Sequence, residues 1–263
     1  ITINVLNMPS RKKLIIGNWK MNFNTHDASI YLHRLQEAIT ERRDVQVIVA
    51  PTTLTLQSLS LQVNRRKVKL AAQNFYWRDF GPYTGETSAT QLRGIVDYGL
   101  VGHSERRYLF HEQEKDIRYK VQAAVRNGFK PILCIGETRA ERTNKETHAV
   151  LYDQLTASLA NITSDEVGNV IIAYEPVWAI GTGDNAKPSD VIKAGSVIRR
   201  TLRNLYGDKV SKDVQIVYGG SVTSSSVTDY LSIPGIDGLL VGGASLQLYE
   251  FSEIIKKAHD MQK

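Results

Sequence analysis

Eight short apolar runs recur along the chain, and each one ends in polar or glycine residues. They occupy residues 14–16, 45–49, 68–72, 98–101, 132–135, 170–173, 214–217 and 238–241. The runs are almost continuously apolar and rich in β-branched side chains, whereas a strand with one solvated face alternates apolar with polar residues. This pattern predicts strands that are buried on both faces, as in a parallel sheet.

Amphipathic stretches lie between most of these runs. The clearest cover residues 27–40, 117–126, 148–160, 189–205 and 246–259, and we expect Asp27 and Ser189 to be helix N-caps. Strands that alternate with helices favour parallel βαβ units, and eight repeats in 263 residues favour a closed (β/α)8 barrel, the TIM barrel. We therefore predict an α/β fold with one barrel domain over residues 1–263, in which residues 1–12 are an N-terminal extension.

An open, doubly wound sheet is the structural alternative. Such a sheet usually carries a glycine fingerprint after its first strand, where this chain has Gly17-Asn18-Trp19-Lys20 instead. The stretch 181–187, GTGDNAK, resembles a phosphate-binding P-loop only superficially, because the second glycine and the Lys-Ser/Thr pair are missing. The barrel is therefore the better interpretation.

Composition argues against several classes of function. The net charge is +6, but the basic residues are dispersed over predicted helices, so we expect no nucleic-acid partner. No apolar run approaches the roughly 20 residues of a membrane span, and the first residues do not read as a secretion signal, so we expect no membrane partner. The one cysteine, Cys134, lies within an apolar run, which predicts a buried, reduced thiol in a cytoplasmic protein.

The chemically useful residues cluster where the predicted strands end. A barrel of this kind places its active site at the carboxyl ends of its strands. Those ends carry Asn18 and Lys20 after the first strand, His103, Ser104 and Glu105 after the fourth, Glu175 after the sixth, Gly219-Gly220-Ser221 after the seventh, and Gly242-Gly243 after the eighth. The set comprises a lysine, a histidine, an isolated carboxylate and two glycine turns.

Each of these residues also has a purely structural interpretation. Glu175 could be a surface acid, but Pro176 restricts its backbone to extended geometry and so aims the carboxylate. His103 could be a hydrogen-bonded core histidine, and Lys20 a surface charge. The glycine pairs could be simple turns, although turns after the last two strands favour backbone N–H groups that bind phosphate. The adjacent His103-Ser104-Glu105 cannot converge as a catalytic triad does, and no histidine sits in a metal-ligand pattern.

Five motifs, in order along the chain, resemble the triosephosphate isomerase family. They are GNWKMN at 17–22, GHSERR at 102–107, YEPVWAIGTG at 174–183, YGGSV at 218–222 and LVGGASL at 240–246. The resemblance runs from about Lys13 to the C-terminal helix. It implies a barrel enzyme of glycolysis and gluconeogenesis that interconverts dihydroxyacetone phosphate and D-glyceraldehyde 3-phosphate through an enediolate, with no metal and no cofactor.

The resemblance also implies a role for each catalytic candidate. Glu175 matches the general base that moves a proton between two substrate carbons. His103 matches the electrophile that polarises the carbonyl, a neutral histidine at a helix N-terminus for which this family is itself the usual example. Lys20 would bind the anionic substrate, Asn18 would hydrogen-bond its oxygens, and Glu105 would orient Lys20.

The segment 176–182 matches the mobile lid of that family, a device for which the family is likewise the usual example. Pro176 fixes one end, and Gly181 and Gly183 allow backbone movement at the other. On closure the Gly181 N–H would reach the substrate phosphate. Gly181 would then complete a phosphate site with three residues of the last two strand ends: Ser221, Gly242 and Gly243.

The resemblance further implies a homodimer. The segments 73–74 and 81–86 resemble the family's long third loop, which inserts into the neighbouring subunit, and Thr84 would support the partner's active site. The chain departs from the family pattern at Pro82-Tyr83 within this loop. It also departs at His111 and Lys145, which stand where a glycine is common.

Two rival functions remain open from the residues. One is another phosphosugar barrel enzyme, such as a Schiff-base aldolase with Lys20 as the nucleophile. The other is a barrel that has lost catalysis and serves as a scaffold, although such a protein has little reason to keep Glu175, His103 and Lys20 together.

Overall fold

The computed structural model describes residues 11–41, 43–180 and 185–262. Eight parallel strands close into a barrel in sequence order, and the last pairs with the first. The strands are β1 (Lys13–Asn18), β2 (Val45–Ala50), β3 (Val68–Ala72), β4 (Tyr98–Val101), β5 (Lys130–Ile135), β6 (Ile171–Tyr174), β7 (Gln215–Gly220) and β8 (Gly238–Val241). The predicted barrel is confirmed.

Within the described ranges, helices follow every strand except β3, which leads to β4 through a long loop without a helix. They are α1 (Thr25–Ala38), α2 (Thr53–Gln62), α3 (Ser104–Tyr108), α4 (Glu114–Arg126), α5 (Arg139–Thr143), α6 (Thr147–Leu159), α7 (Pro188–Tyr206), α8 (Asp208–Asp213), α9 (Val227–Leu231) and α10 (Leu248–Asp260). The amphipathic α4, α7 and α10 match three predicted helices to within three residues at either end. Helix α2 gives almost no helical periodicity in its sequence, TLTLQSLSLQ, so its pattern did not predict it.

Both predicted helix caps are wrong. Helix α1 begins earlier than expected, and its N-cap is Asn24, whose side chain accepts a hydrogen bond from the Asp27 backbone N–H at 2.9 Å. Asp27 instead lies in the first turn, where a carboxylate favours the helix dipole. Helix α7 has Lys187 as its N-cap residue and Pro188 at its first position, so Ser189 is already helical.

Two apolar cores account for the buried runs. Alternate strand residues fill the barrel interior with mostly small and branched side chains, and the others pack outward against the helices. Cys134 belongs to the inner core, is fully buried and is a free thiol, as predicted. Burial raises the pKa of this thiol well above its ordinary value, so the group is protonated and inert.

Residues 1–10 of the predicted extension lie outside the described residues. Arg11 and Lys12 contact the lower rim of the barrel: Arg11 lies 3.1 Å from the Asp213 carboxylate, and the Lys12 carbonyl accepts a hydrogen bond from the Gln215 side chain. In the described part of the chain, no helix is long and apolar enough to cross a membrane.

Candidate active site

The end of β1 brings Asn18 and Lys20 to the mouth of the barrel. Asn18 is the last residue of the strand, and its side-chain oxygen accepts a hydrogen bond from the Lys20 backbone N–H at 3.1 Å. Lys20 has a left-handed backbone (φ 52°), which costs free energy in a residue other than glycine. Gln73 secures this turn, because its amide donates to the carbonyls of both Lys20 and Ala50 at 2.8 Å.

The Lys20 ammonium is paired with Glu105. The Lys20 Nζ lies 2.6 Å from Glu105 Oε1, and each side chain is about one-third exposed. The ammonium is therefore held by one partner while it still faces the open end of the barrel. This contact brings together strand ends one and four, as the resemblance implied.

His103 sits at the N-terminus of α3 and acts as its N-cap. Its Nδ1 accepts a hydrogen bond from the Glu105 backbone N–H at 3.2 Å. A ring nitrogen that accepts a hydrogen bond carries no proton, so this contact favours a neutral imidazole with its proton on Nε2. Nε2 in turn lies 3.3 Å from Glu175 Oε1, and both side chains are buried.

Glu175 follows β6 and lies deep in the mouth of the barrel, only 3% exposed. Its backbone N–H donates to the Ile135 carbonyl at 2.8 Å, and its Oε2 accepts from the Ser104 N–H at a long 3.3 Å. The carboxylate thus rests against the first turn of α3, next to His103. The hydrogen bond from the Ser104 N–H is near the upper distance limit, so this contact is a weak one.

Two glycines make room for Glu175. A Cβ on Gly136 would lie 1.8 Å from the Glu175 carbonyl oxygen, and a Cβ on Gly219 would lie 2.9 Å from Glu175 Cγ. Any larger residue at either place would push the backbone or the side chain of Glu175 aside. The close approach of three strand ends therefore depends on the absence of these two side chains.

The glycine pair after β8 lies beside Lys20. A Cβ built on Gly242 would come within 3.8 Å of Lys20 Cε, and Gly243 begins a short 3-10 turn, Gly243–Leu246. Ser221 directly follows β7, and its hydroxyl donates to the Ala179 carbonyl at 3.1 Å. Gly181 lies outside the described residues.

The described part of the expected lid, residues 176–180, is fixed by a residue that the sequence did not single out. Glu137 is fully buried and accepts hydrogen bonds from the Trp178 indole N–H at 2.9 Å and the Tyr174 hydroxyl at 3.2 Å. Its carbonyl also accepts from the Val177 N–H at 3.1 Å. Burial raises the pKa of Glu137, and the hydrogen bonds from Trp178 and Tyr174 only partly oppose that shift.

Arg142 holds the outer side of the same indole. Its guanidinium lies 3.9 Å from the Trp178 ring centroid, 3.1 Å from Asp190 and 3.8 Å from Glu137. The sequence position of Glu137 could have indicated a functional role, because Glu137 stands two residues after β5, where barrel enzymes carry functional groups. Nothing in the sequence indicated Arg142, because Trp178 and Asp190 come from distant parts of the chain.

Thr84 lies on the exposed surface of the third loop. Three large apolar side chains are also exposed: Phe80 (90%) and Tyr83 (36%) lie close to Thr84 in sequence, and Met21 (93%) lies just after β1. Among the described residues, no group of three or more His, Cys, Asp or Glu side chains could hold a metal ion.

Comparison with known proteins points the same way as this geometry. Residues 13–258 match the family described as triosephosphate isomerase. The chain is 40% identical over 246 residues to a triosephosphate isomerase of Lactiplantibacillus plantarum, and the match covers 93% of this chain and 98% of the relative. It is 39% identical to a triosephosphate isomerase of Streptococcus mutans, in a match that covers 94% of this chain and 98% of the relative. It is 40% identical to one of Chloroherpeton thalassium, in a match that covers 94% of this chain and 99% of the relative.

Proposed function

The chain belongs to the triosephosphate isomerase family, and on that premise we propose that its strand-end residues carry out the reaction of the family. The protein is an intramolecular oxidoreductase of glycolysis and gluconeogenesis that interconverts dihydroxyacetone phosphate and D-glyceraldehyde 3-phosphate. The observation that best supports the site is the buried contact between Glu175 and His103 beside the ion-paired Lys20.

Glu175 is the general base in this proposal. Its carboxylate takes a proton from one substrate carbon and returns it to the neighbouring carbon, so the reaction needs no net proton exchange with water. The 3.3 Å contact with His103 leaves no room for a substrate carbon between the two side chains. Binding must therefore move the carboxylate off His103, and the long hydrogen bond from the Ser104 N–H opposes that movement only weakly.

His103 and Lys20 stabilise the oxygen that gains charge in the enediolate. Departure of Glu175 frees the His103 Nε2–H to donate to the substrate carbonyl oxygen, and Lys20 adds a fixed positive charge. Asn18 hydrogen-bonds the same end of the substrate, and Glu105 holds the ammonium in place. The Lys20–Glu105 contact also disfavours the Schiff-base alternative, because an amine nucleophile must be uncharged and unpaired.

The substrate phosphate binds at the last two strand ends, on Ser221, Gly242 and Gly243, and Gly181 joins them when the lid closes. Ser221 contacts the lid carbonyl of Ala179, so the phosphate site and the lid are already adjacent. Closure exchanges the Trp178–Glu137 hydrogen bond for contacts over the substrate. It excludes water and so protects the enediolate from loss of phosphate.

The functional unit is a homodimer. Exposed Met21, Phe80 and Tyr83 lie next to the β1 end or in the third loop, and burial of these side chains by a partner would stabilise association. Met21 directly follows Lys20, so a partner that covers it also supports the site, with Thr84 as the contributed residue. Sedimentation that found a fully active monomer would contradict this part of the proposal.

We further place the protein in the cytoplasm, without a nucleic-acid or membrane partner. A single cysteine that is buried and unpaired suits a reducing compartment. The substrate is a small phosphorylated triose, which the net positive charge of the chain attracts.

A coupled assay of glyceraldehyde 3-phosphate isomerisation tests the proposal. Replacement of Glu175 with Gln keeps the shape of the side chain and removes the base, so kcat should fall roughly 10²–10⁴-fold or more. The matched control is Glu253→Gln on α10, which removes a carboxylate that lies 3.6 Å from the Lys256 ammonium and should leave kcat unchanged. An inactive parent protein with a normal melting transition would refute the assignment.

A further inference from the structure

A basic pocket lies outside the barrel mouth, between α5, α6 and α7. It has a volume of about 440 Å³, which is within the usual range for small-molecule sites. Arg142, Lys145, His148 and Lys193 line it, with the buried Tyr174 beneath them. None of these residues has a role in the reaction proposed above.

The charges of this pocket are unbalanced. Among the described residues, Asp190 is the one carboxylate that lines it, and Asp190 already binds Arg142 at 3.1 Å and the Lys187 N–H at 3.3 Å. Lys145 and Lys193 are exposed, and no carboxylate of the described residues lies within ion-pair distance of either ammonium. Two cations therefore remain for a ligand.

The first turn of α6 adds to this positive field. Thr147 and His148 open this 13-residue helix and line the pocket, and in the described structure the N-cap residue, Glu146, makes no side-chain capping bond. The N-terminus of a helix favours negative charge through its free N–H groups and its dipole. The helix end and the lysines thus favour the same kind of ligand.

Lys145 occupies a backbone position that suits glycine. Its φ of 64° is left-handed, which costs a lysine free energy that a glycine would not lose. The chain nevertheless places a cation there, at the rim of the pocket. A strained residue with an unpaired charge is more typical of a binding site than of a stabilising loop.

We propose that this pocket binds a small phosphate-bearing anion, through Arg142, Lys145, Lys193 and the first turn of α6. The anion shares Arg142 with the lid segment, because the same guanidinium lies 3.9 Å from the Trp178 ring. Occupancy of the pocket therefore draws Arg142 away from Trp178 and shifts the position of the lid. The binding site is independent of the proposed catalytic roles, and only this effect on the lid rests on them.

Titration with inorganic phosphate at constant pH and ionic strength tests the proposal. Ring signals of His148 and His103 in one NMR spectrum report on the pocket and on the catalytic site separately. We expect the His148 signal to shift along a saturating curve. In the double variant Lys145→Gly/Lys193→Gln the midpoint of that curve should move to a phosphate concentration at least about tenfold higher, because two of the three cations are gone.

A matched double variant, Arg66→Gln/Lys209→Gln, loses the same charge at exposed positions elsewhere and should keep the parent curve. A His148 signal that does not respond to phosphate, or one that responds equally in both double variants, would overturn the proposal that this pocket binds the anion. The melting temperature separates a binding defect from misfolding, since Lys145→Gly relieves strain and should not lower it. If the Trp178 indole signal follows only the His103 curve, the link to the lid is wrong while the pocket stands.

Discussion

Gly219→Ala is a stringent test of how the molecule positions its proposed base. Gly219 lies in β7, and a Cβ at this position would be 2.9 Å from Cγ of Glu175 and 3.4 Å from Cβ of Leu240. The added methyl group therefore meets the side chain of Glu175, while the backbone of residue 219 keeps its hydrogen bonds in the barrel sheet. The substitution moves a carboxylate without changing its chemistry.

The size of the effect follows from the distance. Carbon atoms in contact lie at least about 3.5 Å apart, so Glu175 Cγ must retreat by roughly 0.6 Å. A misplacement of about 1 Å at a reacting group costs roughly 10²-fold in rate, which scales to a loss of about 15-fold here. The crowding itself should cost about 1–3 kcal/mol of unfolding free energy.

Steady-state kinetics and thermal unfolding of the variant measure both effects. We expect kcat to fall about 15-fold with KM nearly unchanged, because the phosphate site is untouched. Gly195→Ala, within α7, is the matched control: its Cβ would lie 3.9 Å from Ile236, so the variant should keep kcat and gain about 0.5–1 kcal/mol of unfolding free energy. A Gly219→Ala enzyme with the parent kcat would refute the claim that this contact positions Glu175.

Three further predictions follow from individual contacts. In Glu137→Gln the titrating group is removed. Because burial raises the pKa of Glu137, its contribution to stability is fully present below the unfolded value of 4.5 and is lost as pH rises through the raised value. The unfolding free energy of the parent relative to the variant should therefore fall over that interval, and denaturant titrations that gave a constant difference from pH 4.5 to 8 would contradict the shift. His111→Gly should raise the melting temperature by about 1–2 °C in calorimetry. Glycine relieves the strain of the left-handed φ of 53°, and this gain outweighs the added entropy of the unfolded chain by about 0.5 kcal/mol. An unchanged or lower melting temperature would refute the claim that His111 is strained. Gly136→Ala should lower it by roughly 6–12 °C or more, because its Cβ would meet backbone atoms of Glu175, and a near-parental melting temperature would show that the backbone adapts.

The strands were predictable because a strand buried on both faces leaves a continuous apolar run. Residues 68–72, 98–101 and 238–241 were assigned with the same bounds that the structure shows. Helix α2 was not predicted, since its threonines, serines and leucines carry little 3.6-residue periodicity and its burial comes from packing on its neighbours. Asp27 was misplaced as a cap because Asn24, three residues earlier, is also of a capping residue type, and only the backbone shows which one precedes the first turn.

The sequence by itself determined the barrel, the strand ends and the residue types that meet there. Tertiary structure alone decided which of these groups touch: Lys20 reaches Glu105 across 85 residues of chain, and Trp178 reaches Glu137 across 41. It also showed the left-handed backbone at His111 and Lys145, where the family resemblance had indicated only a missing glycine. The physical reason for this division is that the hydrophobicity of residues and its periodicity are local properties of a chain. Hydrogen-bond partners, charge imbalance and the close approach of a glycine to a carboxylate exist only once distant segments are packed together.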